Sequence, residues 1–400
     1  FFTHTPAGAT TYSFTNPGAV QSFQMQLTGG QEAAASSFST TTYTGTGAAQ
    51  TISNGLDLSS DGGLVWVKRR DATNSHSLWD SARGINYWLS SDNTSAQIDY
   101  STNAMQSFNT NGFTLGTDSV TNGSGNSMVS WAFKKTPKFF DIVTYTGNGT
   151  AGRTISHNLG SVPGMIIGKV TNATDDWVVY HRGMDGSAPE DYRMLLNDTG
   201  ARVNATRWND TAPTSTEFTV DSDTSVNGNG LTYVAYLFAH DTDASSLIKC
   251  GSYTGTGSSG NAVTLGWEPQ WLMIKNISTS NQNWELFDNQ RGLVTNANSA
   301  ELFPNTSSAE RNSFNIINTT ATGFETGASS LDETNASGSN YIYVAIRSAA
   351  ATAVTWPNSV KFQGGTAPET PAVGEVDTYT FTTRDGGTSY IGVQSGNNHS

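Results

Sequence analysis

The feature that constrains the fold of this chain most is an internal repeat. A Tyr-Thr-Gly motif occurs three times, at Tyr43, Tyr145 and Tyr253, and successive copies lie roughly 100 residues apart. Self-similarity at a fixed period indicates one structural unit that is written several times, so it sets the architecture before any local motif does. The sequence therefore predicts three units of the same fold.

Four further landmarks follow each motif in the same order. They are an apolar run that ends in lysine, an aromatic stretch that ends in Arg-Gly, a short segment around a phenylalanine and a closing apolar run. We interpret the three tyrosines as structural residues of the repeat, together with the arginines Arg83, Arg182 and Arg291. Each arginine is expected to stack on a neighbouring ring (Trp79, Tyr180 or Phe287), and a carboxylate or sugar contact is the alternative.

The repeat divides the 400 residues into five parts. A chain of this length is too long for one core, and about 100 residues is a common domain size. The predicted parts are an N-terminal β attachment segment and linker at 1–38, β-sandwich repeats at 39–136, 137–243 and 244–349, and a small C-terminal β module at 350–400.

Composition and patterning predict an all-β fold. Charged residues make up only 13% of the chain, and Thr, Ser, Asn and Gly, which are poor helix formers, take their place. Apolar segments of strand length separated by turn residues are typical of an antiparallel β-sandwich. We expect three tandem sandwiches with small β modules at both ends, and one short helix at Ala300–Phe303 that stops at Pro304.

The charge balance excludes several classes of partner. The net charge is −13, without a visible cluster of Lys and Arg, so a nucleic-acid partner is not expected. No stretch of 18 apolar residues occurs, so no spanning helix and no membrane partner are predicted. A single cysteine, Cys250, cannot form an intrachain disulfide.

Motifs for catalysis or metal binding are weak. The six histidines show no paired ligand spacing, and no Gly-x-Ser-x-Gly elbow occurs. Asp221, Asp223 and Asn227 loosely resemble a calcium loop, but the spacing departs from the EF-hand pattern and a solvated turn is favoured. We assign no catalytic residues, and Ca²⁺ is the one cofactor considered.

Aromatic residues outside the predicted strands are the candidates for sugar binding. Rings at alternating strand positions, such as Trp66 and Trp131, are expected in the core. Trp88, Trp208 and Trp267 lie in loop-like sequence, so they are predicted to be exposed platforms on which a glycan could stack.

Several segments resemble a repeat of virion structural proteins from marine tailed phages, notably cyanophages. In the second repeat they are Phe140-Asp-Ile-Val-Thr-Tyr-Thr-Gly-Asn-Gly149, Ser156-His-Asn-Leu-Gly-Ser-Val-Pro-Gly-Met-Ile-Ile167 and Trp208-Asn-Asp-Thr-Ala-Pro-Thr-Ser-Thr216. Segments 64–71, 78–84 and 112–116 and the ending from Trp356 to Gly396 are similar to the same group. The resemblance covers roughly residues 40–400. It implies fibre, appendage or capsid-surface proteins with a jelly-roll or lectin-like sandwich, and it implies no catalytic residues.

These observations predict a non-enzymatic structural protein on the virion surface. Three sandwiches in a row would form a rod, a fibre or appendage that mediates attachment to host surface glycans. The expected partners are other virion proteins, host surface polysaccharide and copies of the chain itself, with a trimer as the usual fibre arrangement.

Three alternatives stay open at this stage. The first is a glycan-binding adhesin of a cell surface or extracellular fibre, and the second is a capsid decoration protein. The third is a polysaccharide depolymerase, considered only because appendages sometimes carry one.

Overall fold

The structure is a computed structural model that describes residues 22–28, 36–101, 103–241, 246–294, 298–327, 332–348, 360–362, 376–382 and 390–398. The chain divides into two compact units. One unit spans residues 34–348 and contains all three repeats, and the other combines residues 1–33 with residues 349–400. Almost all regular elements are β-strands, so the predicted fold class is confirmed.

The main-sheet strands that the repeats share and the one-turn helix follow one another in the same order in each repeat. Up to the end of repeat one they are β1 (Ser22–Thr28), β2 (Phe38–Thr44), β3 (Gln50–Ile52), β4 (Gly63–Arg69), β5 (Ser77–Asp80), β6 (Tyr87–Trp88), β7 (Ile98–Asp99), β8 (Met105–Asn109), β9 (Gly112–Leu115), α1 (Ser119–Asn122) and β10 (Ser127–Lys134). Repeat two has β11 (Phe140–Thr146), β12 (Arg153–Ser156), β13 (Pro163–Val170), β14 (Val178–His181), a 3₁₀ turn (Pro189–Asp191), β15 (Tyr192–Leu195), β16 (Val203–Asn204), a 3₁₀ turn (Thr206–Trp208), β17 (Glu217–Val220), α2 (Thr224–Asn227) and β18 (Thr232–Ala239).

Repeat three and the C-terminal segment complete the series. Their elements are β19 (Ile248–Thr254), β20 (Ala262–Thr264), β21 (Pro269–Asn276), β22 (Trp284–Asp288), β23 (Ile317–Thr320), β24 (Gly323–Thr326), α3 (Asp332–Asn335), β25 (Asn340–Arg347), β26 (Val360–Phe362), β27 (Val376–Thr382) and β28 (Tyr390–Asn398). The predicted helix at 300–303 is wrong. Glu301 and Leu302 instead form isolated antiparallel bridges, because neighbouring extended segments offer them backbone partners.

Each repeat is a sandwich of one main sheet and one smaller sheet. The main sheets have the same strand order, which is β2-β10-β4-β5, then β11-β18-β13-β14 with β15 and β16 added, then β19-β25-β21-β22. The smaller sheets are β3-β9-β8, β12-β17 and β20-β24-β23. The strand pairs within these sheets are antiparallel. The closing strand of every repeat pairs with two neighbours and therefore lies inside its main sheet.

In the main sheets, β4, β5 and β10 and their counterparts in the other repeats are buried on both faces, whereas the edge strands β2, β11 and β19 have exposed positions. Successive side chains of a strand point to opposite faces. On β4, Val65 and Val67 belong to the interior of their own sandwich, whereas Leu64 and Trp66 belong to a cluster that residues of all three repeats share. We call this shared cluster the central core. Burial on both faces explains why the main strands read as continuous apolar runs.

The central core joins the repeats directly. Phe133 of repeat one lies 5.4 Å from the Phe140 ring and 5.5 Å from the Phe238 ring of repeat two, and 5.7 Å from the Trp271 ring of repeat three. The expectation that three separate sandwiches lie in a row as a rod is therefore wrong. The repeats surround one core because each main sheet has a second apolar face to bury.

Backbone hydrogen bonds close the three repeats into a ring. Each neighbouring pair of repeats exchanges two of them at matching positions. The three in one direction are Asn74 N to Ser307 O (2.8 Å), Asp175 N to Thr94 O (3.0 Å) and Gln282 N to Thr199 O (3.2 Å). The three that return are Glu310 N to Arg70 O (2.8 Å), Gln97 N to Thr171 O (2.8 Å) and Arg202 N to Ile277 O (3.2 Å). Repeat one contacts three, two contacts one and three contacts two in the same sense, which is the pattern of a closed cyclic arrangement.

The Tyr-Thr-Gly motif forms hydrogen bonds with the one-turn helix of its own repeat. The hydroxyl groups donate to helix carbonyls, Tyr43 to Thr121 (2.7 Å), Tyr145 to Val226 (2.7 Å) and Tyr253 to Thr334 (2.6 Å). A buried asparagine at the helix end, Asn122, Asn227 or Asn335, accepts from the backbone N–H after the motif glycine. That glycine has no room for a side chain, because a Cβ on Gly147 would lie 2.1 Å from the Gly228 carbonyl oxygen.

The terminal segments share one sheet. Strand β1 pairs with β27 along its whole length, and the sheet order is β1-β27-β28-β26 with a parallel β26–β28 pair. The modules that we expected at opposite ends of the chain are thus a single four-stranded sheet. Within the predicted N-terminal segment at 1–38, the structure describes β1 and residues from 36 onwards, and the rest of the segment lies outside the described residues. In the described part of the chain, no helix has the length and apolar character needed to span a membrane.

The close approach at the motif glycine gives a test of the repeat. Gly147→Ala forces the new methyl group against the Gly228 carbonyl, so the strand or the helix must move. We expect a loss of about 2–4 kcal/mol in the free energy of unfolding, measured by chemical denaturation. Gly186→Ala is the matched control, because a Cβ there meets nothing within 4 Å. Equal stability of the two variants would contradict the role assigned to the motif.

Candidate functional site

Two buried aspartates lie where neighbouring repeats meet. Asp80 at the end of β5 accepts from the Tyr236 hydroxyl of repeat two (2.8 Å) and from Arg83 Nε (2.6 Å). Asp288, at the same position of β22, accepts from the Trp131 indole of repeat one (2.8 Å) and from Arg291 Nε (2.6 Å). Two charges removed from water require this kind of full pairing.

Repeat two carries different residues at the positions of this Asp–Arg pair. Strand pairing places His181 at the equivalent of Asp80 and Asp288, and its Nε2 lies 3.0 Å from the Tyr343 carbonyl oxygen of repeat three. Counting three residues further, buried Met184 matches Arg83 and Arg291, whereas Arg182 is exposed. The Arg-Gly motif of repeat two is therefore shifted by two positions in the fold.

The arginine stacking differs from our expectation. The guanidinium of Arg291 lies 5.4 Å from the ring centre of Trp131, across the repeat interface, rather than on Phe287 beside it. Arg83 is held by Asp80 and by hydrogen bonds to the Leu78 carbonyl and the Tyr236 hydroxyl. Both arginines are positioned by the neighbouring repeat, which sequence adjacency does not reveal.

A second set of interface contacts was missed by sequence reasoning. His76, Trp177 and Trp284 occupy matching positions, each four residues before Asp80, His181 or Asp288. Their ring nitrogens lie beside carbonyl oxygens of the neighbouring repeat, at Phe303 (3.0 Å), Ser90 (2.8 Å) and Leu195 (2.9 Å). The sequence repeat does not reveal this contact, because the position is a histidine in repeat one and a tryptophan in repeats two and three.

Burial controls the protonation of the other titratable candidates. It lowers the pKa of His181 to about 3 and that of His240 to about 4, and it lowers the pKa of His76 well below its ordinary value. These imidazoles are neutral near pH 7. Burial also raises the pKa of the Cys250 thiol, whose sulfur lies 3.4 Å from the Ala239 carbonyl oxygen.

The repeat lysines are buried rather than exposed. Lys68, Lys169 and Lys275 lie at matching positions of β4, β13 and β21, and each Nζ donates to the carbonyl of the next residue. Burial lowers the pKa of each to about 8. Their conserved spacing within the repeat thus has a packing explanation, since the long stem fills the sheet and the amine satisfies a strand-end carbonyl.

The tryptophans predicted as exposed sugar platforms are buried. Trp88 stacks edge-on to Tyr100 (5.6 Å), Trp208 packs on Tyr180 (5.8 Å), and Trp267 belongs to the sandwich interior of repeat three. Exposed fractions of 8%, 2% and 5% leave no face for a ligand. The expectation of exposure is wrong because the connecting segments fold over the sandwich and insert these rings into its interior.

In the loop that loosely resembles a calcium site, the guanidinium group of Arg207 lies beside the carboxylates of Asp221 and Asp223. Arg207 pairs with Asp221 (3.7 Å) and Asp223 (2.9 Å). Asp223 caps α2 by accepting from Ser225 N (2.9 Å), and Asn227 is the buried amide described above. Within the residues that the structure describes, no group of three or more His, Cys, Asp or Glu side chains is arranged to hold a metal ion.

One interface leaves an open groove. It lies between repeats one and two, has a volume of about 380 Å³ and is lined by Arg83, Tyr87 and Gln97 on one side. The other wall carries the threonines Thr144, Thr146, Thr171 and Thr232. Thr171 and Thr232 share a hydroxyl hydrogen bond of 2.6 Å, and Arg83 Nη1 lies 3.4 Å from Gln97 Oε1. The lining is thus polar and mostly uncharged.

A buried carboxyl pair lies inside repeat three. Glu285 and Glu301 are both fully buried, and Arg311 forms an ion pair with Glu301. Burial and the charge of Glu301 raise the pKa of Glu285 well above its ordinary value. Arg311 pairs with Glu301, whereas the raised pKa of Glu285 favours its protonated form.

The Arg291–Asp288 pair can be tested against the arrangement of repeat two. Arg291→Met leaves the buried Asp288 carboxylate short of its ion-pair partner, so we expect a loss of about 3–5 kcal/mol in the free energy of unfolding. The double variant D288H/R291M installs the residue types of His181 and Met184 and should lose less than the single variant. If the double variant is as unstable as R291M or more so, the proposed equivalence of the two arrangements fails.

Glu285 should make stability depend on pH. Its folded-state pKa lies above the unfolded value, so its contribution is fully present below the unfolded pKa and is lost as pH rises through the folded pKa. Glu285→Gln removes this loss, so the thermal midpoint of the variant minus that of the native protein should grow between about pH 5 and about pH 8. Glu268→Gln, an exposed control, should track the native protein. Parallel profiles for E285Q and the native protein would exclude a protonated Glu285.

The chain was compared with curated proteins, with solved structures and with models of protein families. No curated protein matches the chain. A match to the solved structure described as "Crystal Structure of the STIV MCP" covers 82% of this chain and 96% of that chain, with 8% identity and a TM-score of 0.17, which is too low to support any statement about fold or function. The family described as "Domain of unknown function (DUF7483)" matches residues 33–349, nearly the same residues as the compact unit of three repeats. The chain therefore belongs to the DUF7483 family.

Proposed function

We propose that this chain is a structural virion protein of a tailed phage, a fibre or appendage on the particle surface that mediates attachment to host surface glycans. The observation that carries the proposal is the use made of the repeated polar residues. The tyrosines, the buried asparagines and the Asp–Arg pairs all hold the repeats together or hold them to one another. Such a unit is built for mechanical integrity, and we propose that it is not an enzyme.

Two further points support this proposal. The repeat segments resemble those of virion structural proteins of marine tailed phages over most of the chain. The ring also makes unfolding costly, because opening one repeat exposes the second apolar face of both neighbours. A particle that spends long periods outside a cell benefits from a unit with this kind of cooperativity.

A second candidate is a capsid decoration protein, and the cyclic arrangement of the repeats favours it. A fibre normally obtains threefold symmetry from three chains, whereas here three repeats of one chain provide an approximate threefold arrangement. A single copy could then match a threefold-symmetric position on an icosahedral shell without forming a trimer first.

The location of the chain on the particle tests both candidates. We expect gold-labelled antibodies raised against the full chain to mark tail fibres or appendages in electron micrographs of intact particles. Labelling of the capsid at regular icosahedral positions would favour the decoration protein. Labelling of the host cell surface or extracellular fibres with unlabelled particles would contradict the virion assignment and would favour a cellular adhesin.

A further inference from the structure

The groove between repeats one and two has no counterpart of the same chemistry at the other interfaces. The backbone hydrogen bonds that close the ring show which residues are equivalent. Gln97 and Thr171 of this interface match Glu310 and Arg70 of the interface between repeats three and one. There, Arg70 and Glu310 form a two-pronged ion pair with both N···O distances at 2.8 Å. The matching positions therefore carry paired charged side chains in one interface and uncharged side chains in the other.

At the interface between repeats two and three, the matching positions carry larger side chains. Arg202 occupies the position of Gln97, lies 4.5 Å above the Tyr192 ring and reaches Asp185 at 3.4 Å. Ile277 occupies the position of Thr171 and is buried. Ring closure does not require the short side chains of the open interface, because the same two backbone hydrogen bonds form in all three. The short, uncharged pair Gln97 and Thr171 is a property of this one interface.

The lining groups are those that recognise hydroxyl-rich neutral molecules. Thr144 and Thr146 are exposed on one wall, and Gln97 and Tyr87 face them from the other. Hydroxyl and amide groups both donate and accept hydrogen bonds. Tyr87 is 36% exposed and offers an aromatic face with a polar tip, which suits contact with the C–H surface of a sugar ring. The volume of about 380 Å³ lies within the usual range for small-ligand sites.

The charges argue against an anionic ligand. The one cationic side chain in the lining, Arg83, is already paired with Asp80 at 2.6 Å, and its side chain is 4% exposed. The whole chain carries a net charge of −13, which repels sulfated or uronic acid polymers at low salt. An open, uncharged groove can instead accommodate part of a longer neutral chain.

We propose that the groove formed by Tyr87, Gln97, Thr144, Thr146, Thr171 and Thr232 binds a neutral oligosaccharide. This inference rests on the proposed function, since it gives the attachment activity a site and a ligand class. The site is distinct from the tryptophans that the sequence suggested, and it is composed across two repeats. It therefore exists only when the ring is closed.

The test uses the full chain on an array of neutral, sialylated and sulfated oligosaccharides. We expect binding to at least one neutral glycan. The variant Q97E/T171R installs the residue types of Glu310 and Arg70 and should fill the groove, and Tyr87→Ala should remove the aromatic face. Each should weaken binding at least tenfold. Phe314→Ala, which removes an exposed ring that does not line the groove, should bind like the native protein.

The outcomes separate the groove from the broader proposal. Thermal midpoints near that of the native protein are required of all three variants, so that lost binding cannot reflect unfolding, and Q97T/T171V serves as a second substitution if Q97E/T171R does not fold. No binding to neutral glycans, or binding that Q97E/T171R leaves unchanged, overturns the assignment of the groove. Binding to sulfated or sialylated glycans alone overturns the ligand class. None of these results alters the particle labelling, which tests the virion assignment separately.

Discussion

Burial of the inner strands of each main sheet on both faces is the constraint on which the rest of the structure depends. A sandwich needs one apolar face per sheet, and its other face normally meets water. Here β4, β13 and β21 and their neighbours carry apolar side chains on both faces, so a single repeat would expose a large apolar surface. Three repeats around one core bury the second apolar face of every main sheet. The ring is thus a consequence of strand composition.

Polar groups at the interfaces follow from the same constraint. Strand ends and loops that meet across a dry interface need partners for their carbonyl and N–H groups, and the backbone pairs between repeats supply them. The buried carboxylates of Asp80 and Asp288 are each satisfied by one group from their own repeat and one from the next. Repeat two uses neutral His181 with Met184 and avoids the burial of a charge pair. Both arrangements bridge the interface, which indicates that the contact matters more than its chemistry.

Much of the fold could be predicted from the sequence, and the failures have physical causes. The repeat and the strands followed from local patterns such as the run Leu64–Lys68, where β-branched and aromatic residues form a strand of the expected length. The same run is continuous rather than alternating, and that signal could have indicated burial on both faces. Arg182 was misplaced because motif adjacency was used where strand register decides, and register depends on pairing between distant residues. Trp88, Trp208 and Trp267 were misjudged because loop-like sequence does not show that a loop folds inward.

Backbone groups and side chains have different roles at the repeat interfaces, and this difference explains where a binding site can lie. In the ring, closure is carried by backbone hydrogen bonds and by the central core, both of which tolerate changes at the outer edge of an interface. Positions such as Gln97 and Thr171 contribute their backbone groups to closure whatever side chain they carry. The ion pair between Arg70 and Glu310 is one side-chain arrangement at that position, and the other two interfaces form the same backbone hydrogen bonds with different residues there. The side chains at these positions can therefore differ among the three interfaces while the backbone geometry stays the same. The interface between repeats one and two carries uncharged side chains there, and its groove is the surface that we propose as the binding site.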